Sequence, residues 1–92
     1  MEFEWDEAKR ESNIVKHDVD FLRAQALFDG RRVITAASPR SDEKRYATTG
    51  EIDGRFYTAI WTWRGTAVRF ISARKARHEE KQRYLALHRR GD

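Results

Sequence analysis

Ninety-two residues confine the chain to one domain around one core, 1–92. With 37% charged, 39% hydrophobic and 12% aromatic residues, three of them Trp, disorder is excluded and a few large rings must build that core. The lack of cysteine excludes a disulfide framework, a thiolate metal site and a cysteine nucleophile, while a net charge of +4 favours an anionic partner. Glu2 to Trp5 alternates polar and apolar side chains and reads as a short strand. Asp6 then caps a helix from Glu7 to about His17, with Ala8, Ser12, Ile14 and Val15 as its apolar stripe. Asp18-Val19-Asp20 breaks that helix, and Asp20 caps a second, short one from Phe21 to Phe28 that ends at Asp29-Gly30.

From Arg31 the period changes to that of strands. Val33-Ile34-Thr35 opens the first, and Ser38 to Lys44 reads as a loop. Arg45 to Ile52 and Phe56 to Trp63 are joined by Asp53-Gly54, a hairpin signal because both turn positions need positive φ. A turn at Arg64-Gly65-Thr66 leads to a last strand, Ala67 to about Ala73, and a helix spans Arg77 to Arg89. The fold class expected is α+β: two N-terminal helices on an antiparallel sheet of about four strands, with a C-terminal helix. Tyr57, Ala59, Trp61 and Trp63 share the parity expected to face the core, and at least two of the three Trp should be core residues.

Charge is polarised along the chain. Residues 1–30 hold 4 Lys/Arg against 8 Asp/Glu, and residues 66–92 hold 8 against 3. Nucleic acid is therefore expected on the C-terminal, basic side; a merely solvated basic helix is the bland alternative. No apolar run approaches the ~20 residues of a membrane span, and the acidic N-terminus has no leader pattern, so a cytoplasmic protein without a membrane partner is expected.

Phe3-Glu4-Trp5-Asp6 resembles an F-x-W-D opening, and Asn13, Lys16, His17, Val19 and Phe21 fit N-x-x-K-H-x-V-x-F. Ala24, Phe28 and Asp29 continue that pattern. Glu43, Arg45, Tyr46 and Gly50 fit E-x-R-aromatic-x-x-x-G, Arg69 to Arg74 with Ala76 fit R-x-I-S-A-R-x-A, and Glu80 and Tyr84 fit E-x-x-x-Y. In this order the motifs resemble the BrnT family, the toxins of BrnT/BrnA type II toxin–antitoxin pairs. The resemblance implies a RelE-like fold and a metal-independent endoribonuclease that cuts RNA and inhibits translation. It also implies a BrnA-type ribbon-helix-helix antitoxin, with which the toxin binds operator DNA and represses its own operon. One departure is Asp18, where the family pattern has Gly; Asp tolerates the left-handed backbone that Gly would adopt there.

RNA cleavage without a metal needs a base near the 2′-OH, positive donors at the phosphate and an acid for the leaving oxygen. The chain has no H-E-x-x-H and no aspartate-rich loop, so neither metal nor cofactor is expected. The catalytic candidates are His17, Glu43, Arg45, Arg69, Arg74 and Tyr84, with Lys16, Arg77 and Lys81 binding RNA. His17 or Glu43 is the candidate base. Arg69, Arg74 and Arg45 are the phosphate donors, and Tyr84 or a basic side chain assists departure. In a regular strand Arg69 and Arg74 fall on opposite faces, so a bulge realigns them, Arg74 lies past the strand's end, the arrangement favoured here, or only one of them is catalytic. Each has a plainer role: ion pairs for the arginines and for Glu43, dipole complement for His17 and packing for Tyr84. A non-catalytic module that binds nucleic acid or antitoxin, serving as a corepressor, is the alternative function.

Overall fold

A computed structural model describes residues 1–38 and 43–88. In chain order these form β1 (Phe3–Glu4), α1 (Glu7–His17) and α2 (Phe21–Ala24), which runs on as a 3-10 turn, Gln25–Phe28. β2 (Val33–Ser38), β3 (Arg45–Ile52), β4 (Arg55–Arg64), β5 (Ala67–Lys75) and α3 (His78–His88) follow. Residues 39–42 of the expected loop and the expected helix end at Arg89 lie outside the described residues.

The α+β expectation holds, with two corrections. The sheet has five strands in the order β1-β5-β4-β3-β2, and it is mixed, because β1 pairs parallel to β5 through Phe3–Val68 and Glu4–Arg69. A two-residue strand carries no signal of its direction, which the α1–α2 crossover sets. The expected second helix is half α-helix and half 3-10. β2 to β5 form the anticipated meander, and Asp53 and Gly54 take φ of 50° and 81° at its hairpin.

The core lies between the sheet and the α2 side. Phe21, Leu27 and Phe70 are fully enclosed, with Val19, Val68 and Ala59 around them. Phe3 stacks on Phe70 at 5.6 Å, and Phe28 meets Trp61 edge-on at 5.3 Å. Tyr57, Ala59 and Trp61 face this core as their parity predicts, and Trp5 packs against it, but Trp63 is 48% exposed at the strand's end. Gly50 of β3 lies under the 3-10 turn, where a Cβ would stand 2.8 Å from Leu27 Cδ2 and 2.9 Å from Val33 Cγ1.

Of the expected apolar stripe of α1 only Ile14 is half-buried. Ala8, Ser12 and Val15 are exposed, Val15 by 86%, and the buried residue is Asn13. α1 lies along the edge of β5 beyond the end of β1, where a strand's backbone needs polar partners rather than a hydrophobic ridge. Asn13 supplies them. Its Nδ2 donates to Ala73 O (2.7 Å) and Val19 O (2.8 Å), and its Oδ1 accepts from Ala73 N (3.1 Å) and Ser72 Oγ (3.3 Å). Asp6 caps the start of α1, and Asp18 ends it at φ 56°, ψ 35°, the left-handed geometry expected there.

Candidate nucleic-acid interface

The sheet face opposite the core is only partly covered. α3 sits over one end: Tyr84 packs edge-on to Phe56 at 5.2 Å, and Glu80 accepts from Thr58 Oγ1 at 3.0 Å. Three cross-strand rows make up this face, the third lying against α3. The first runs from Glu4 through Arg69 to Thr62, with Arg45 and Ser38 beyond. The second holds Ser72, Ile60, Ala47 and Ala36, small side chains apart from Ile60 and none of them fully buried. The third holds Arg74, Thr58, Thr49 and Ile34. Thr62 and Thr58 are four residues apart on β4, so the outer rows stand about 13 Å apart over a low floor.

Local chain geometry makes that trough basic. The β4–β5 register changes between Ile60 and Trp61: Trp61 pairs with Phe70, Ile60 with Ser72, and Ile71 has no partner. This bulge shifts the parity of β5 by one, so Arg69 and Arg74 share a face. Strand end is therefore not what aligns them, since Arg74 pairs with Thr58 within β5, which continues to Lys75.

The arginines differ in commitment. Arg74 donates from Nη1 (2.7 Å) and Nη2 (3.0 Å) to the two oxygens of Glu80, with both side chains largely buried. Glu80 also accepts from the backbone N–H of Arg77 (2.8 Å) at the start of α3. Burial pushes the Glu80 carboxyl up, but the Arg74 forks, the Arg77 amide and Thr58 outweigh it and hold the pKa at about 2. Glu80 thus ties Arg74, Thr58 and the start of α3 together. Arg69 makes a looser 3.3 Å contact with Glu4, more exposed than the Arg74 pair. Arg45 contacts Glu43 at 3.3 Å, and its buried Nε has no hydrogen-bond partner among the described residues.

Lys16 and His17 lie elsewhere, at the C-terminal turn of α1. With Lys9, Ser12, Asn13, Ile71 and Ser72 they line a cleft of about 260 Å³ against the β5 edge. Among the described residues no acidic one lines it, and Ser72 belongs both to this cleft and to the floor of the trough. Edge cleft and open face therefore meet at the bulge. Asn13 builds that junction, a part its motif position marked without explaining.

The α3 candidates sit apart. Tyr84 is buried between Phe56 and the His88 ring, 4.7 Å away, and it borders a broad depression that also holds Asp29, Glu51 and Asp53. Lys81 lies over the Phe56 ring at 5.0 Å, and Arg77 is exposed. The structure thus brings Arg45, Arg69 and Arg74 to one face, joins Lys16 and His17 to its edge, and places Tyr84, Arg77 and Lys81 on and before α3, at the covered end of that face. Among the described residues no cluster of three or more His, Asp or Glu could hold a metal ion. Among those same residues no helix is long and apolar enough to cross a membrane.

These features define a small α+β protein whose open sheet face presents arginines above a low floor. Residues 5–80 match the family described as ribonuclease toxin, BrnT, of type II toxin-antitoxin system, and the chain belongs to that family. Membership in a type II toxin–antitoxin family implies an antitoxin partner and an RNA target. No protein of curated function matches the chain.

Proposed function

We propose that the chain is a metal-independent endoribonuclease of RelE-like architecture. In this reading the RNA 2′-OH attacks the adjacent phosphate, giving a 2′,3′-cyclic phosphate and a free 5′-OH. The bulge at Ile71 carries the proposal, because it aligns two arginines on an open face and sets Ser72 between that face and the Lys16–His17 cleft. RNA lies in the trough. Arg69 meets the scissile phosphate, exchanging the loose Glu4 contact for a phosphate fork, and Arg45 extends the same row. His17 takes the 2′-OH proton, and Lys16 beside it protonates the departing 5′-oxygen. Glu43 orients Arg45, and Arg74, held by Glu80, fixes α3 against the sheet.

The purified protein is expected to cut RNA in EDTA, and His17→Ala and Arg69→Ala should each lower the rate by roughly 10²-fold or more. RNA left intact by a well-folded wild type would overturn the enzyme reading. By its action on RNA the protein inhibits translation in the cytoplasm. A BrnA-type ribbon-helix-helix antitoxin silences it by covering the basic face, and together they bind operator DNA and repress their operon.

One observation favours the second reading, a non-catalytic corepressor: Arg45, Arg69 and Arg74 each already face a carboxylate. In that case the wild type arrests no growth, and its contribution to operon repression survives alanine at His17 or Arg69.

A further inference from the structure

Trp63 is the large aromatic residue that the core leaves out. Its ring stands edge-on to Trp61 at 5.1 Å and 87°, and Trp61 in turn lies 4.9 Å from Tyr46. This aromatic ladder fixes the indole while leaving it 48% exposed. Beside it opens a cleft of about 350 Å³ lined by Glu43, Lys44, Tyr46, Thr62 and Trp63. Thr62 ties the cleft to the trough: it pairs with Arg69 across β4 and β5, and its hydroxyl donates to Lys44 O at 2.6 Å. Trp63 and Tyr46 carry the parity of the core side and Thr62 and Arg69 that of the open face, so the cleft opens at the strand ends, where the two faces meet at Thr62.

We infer that the Trp63–Tyr46 cleft is a nucleobase subsite, in which an unpaired RNA base stacks on the Trp63 indole at the strand ends while its strand passes over Thr62 to the Arg69 row on the open face. This rests on the ribonuclease reading and extends it to how the substrate is held. The chemistry suits a base rather than an aliphatic side chain. Stacking needs a rigid, half-exposed ring. The amino and carbonyl edges of a base need a mixed polar rim, which Glu43 and Lys44 supply, and Lys44 adds charge for the neighbouring phosphate. An exposed indole at the sheet's end is otherwise an unsatisfied apolar surface.

The test uses the purified protein with a short single-stranded RNA carrying 2′-O-methyl groups, which it cannot cleave, and the same strand with one abasic position. Titration is followed by fluorescence anisotropy of a dye on the RNA and by quenching of tryptophan emission. Wild type is expected to bind the intact strand about tenfold more tightly than the abasic one. Trp63→Ala should abolish that difference, Trp63→Phe should restore most of it, and both variants should melt close to wild type. Quenching should vanish in Trp63→Phe, which keeps Trp5 and Trp61. Equal affinity for both strands, or an unchanged preference in Trp63→Ala, overturns the subsite. If wild type cleaves unmodified RNA in parallel, the ribonuclease reading survives that result; if wild type neither cleaves nor binds RNA, both fall. Loss of antitoxin binding in Trp63→Ala with RNA binding intact assigns the cleft to the protein partner instead.

Discussion

At the scale of single residues, two polar side chains hold the interface together. Asn13 acts as a surrogate strand, occupying both the N–H and the C=O of Ala73. Asn13→Ala leaves buried backbone groups unpaired and should destabilise the fold by about 2–4 kcal/mol in urea unfolding. A change below 0.5 kcal/mol would show that α1 is held by other contacts. Glu80 is the second. Its folded pKa of about 2 lies below the ordinary 4.5, so the stabilisation is complete above pH 4.5 and fades as pH falls toward 2. Allowing for solvent screening, the contribution is on the order of 2 kcal/mol. Between pH 7 and pH 3 the wild type should lose more stability than Glu80→Gln, and parallel pH profiles would refute the coupling. Both residues were visible in the motifs, but their partners were not, because Asn13–Ala73 and Glu80–Thr58 are contacts of the folded chain.

At the scale of elements, the helix caps and the hairpin were legible because they are local. Asp6, Asp20 and Asp53-Gly54 act within a few residues of themselves. The bulge at Ile71 was not, since Phe70-Ile71-Ser72 has no glycine or other mark to show where parity slips; only the partner strand fixes it. The parallel pairing of β1 and the edge position of α1 are likewise long-range. Gly50 shows how a motif residue gains its reason from a second element. Its place in β3 brings the backbone under Leu27 and Val33, so the constraint is close approach rather than turn conformation. Gly50→Ala should push the 3-10 turn off the sheet and cost about 1–3 kcal/mol, read as a lower midpoint in thermal unfolding. An unchanged midpoint would mean that the turn yields freely.

For the whole molecule, charge polarity narrows to a geometry. The basic surplus of the C-terminal residues meets the low-floored face at Arg69 and Arg74, and Lys9, Lys16 and His17 add a basic edge from within the acidic N-terminal third. That edge was partly legible, since Lys16 and His17 stand in one motif. Its junction with the arginines was not, because the bulge and Asn13 create it. The packing role weighed for Tyr84 is present, since its ring secures α3 on Phe56. In the proposed reaction the 2′-OH, the phosphate and the departing oxygen lie between His17, Arg69 and Lys16. The most direct measurement is therefore the chemistry of the ends left on RNA cut in EDTA by the wild type and by Arg69→Ala. A 2′,3′-cyclic phosphate paired with a 5′-OH, produced at least 10²-fold more slowly by the variant, is the predicted result. A 3′-OH with a 5′-phosphate, or equal rates for both proteins, would contradict it.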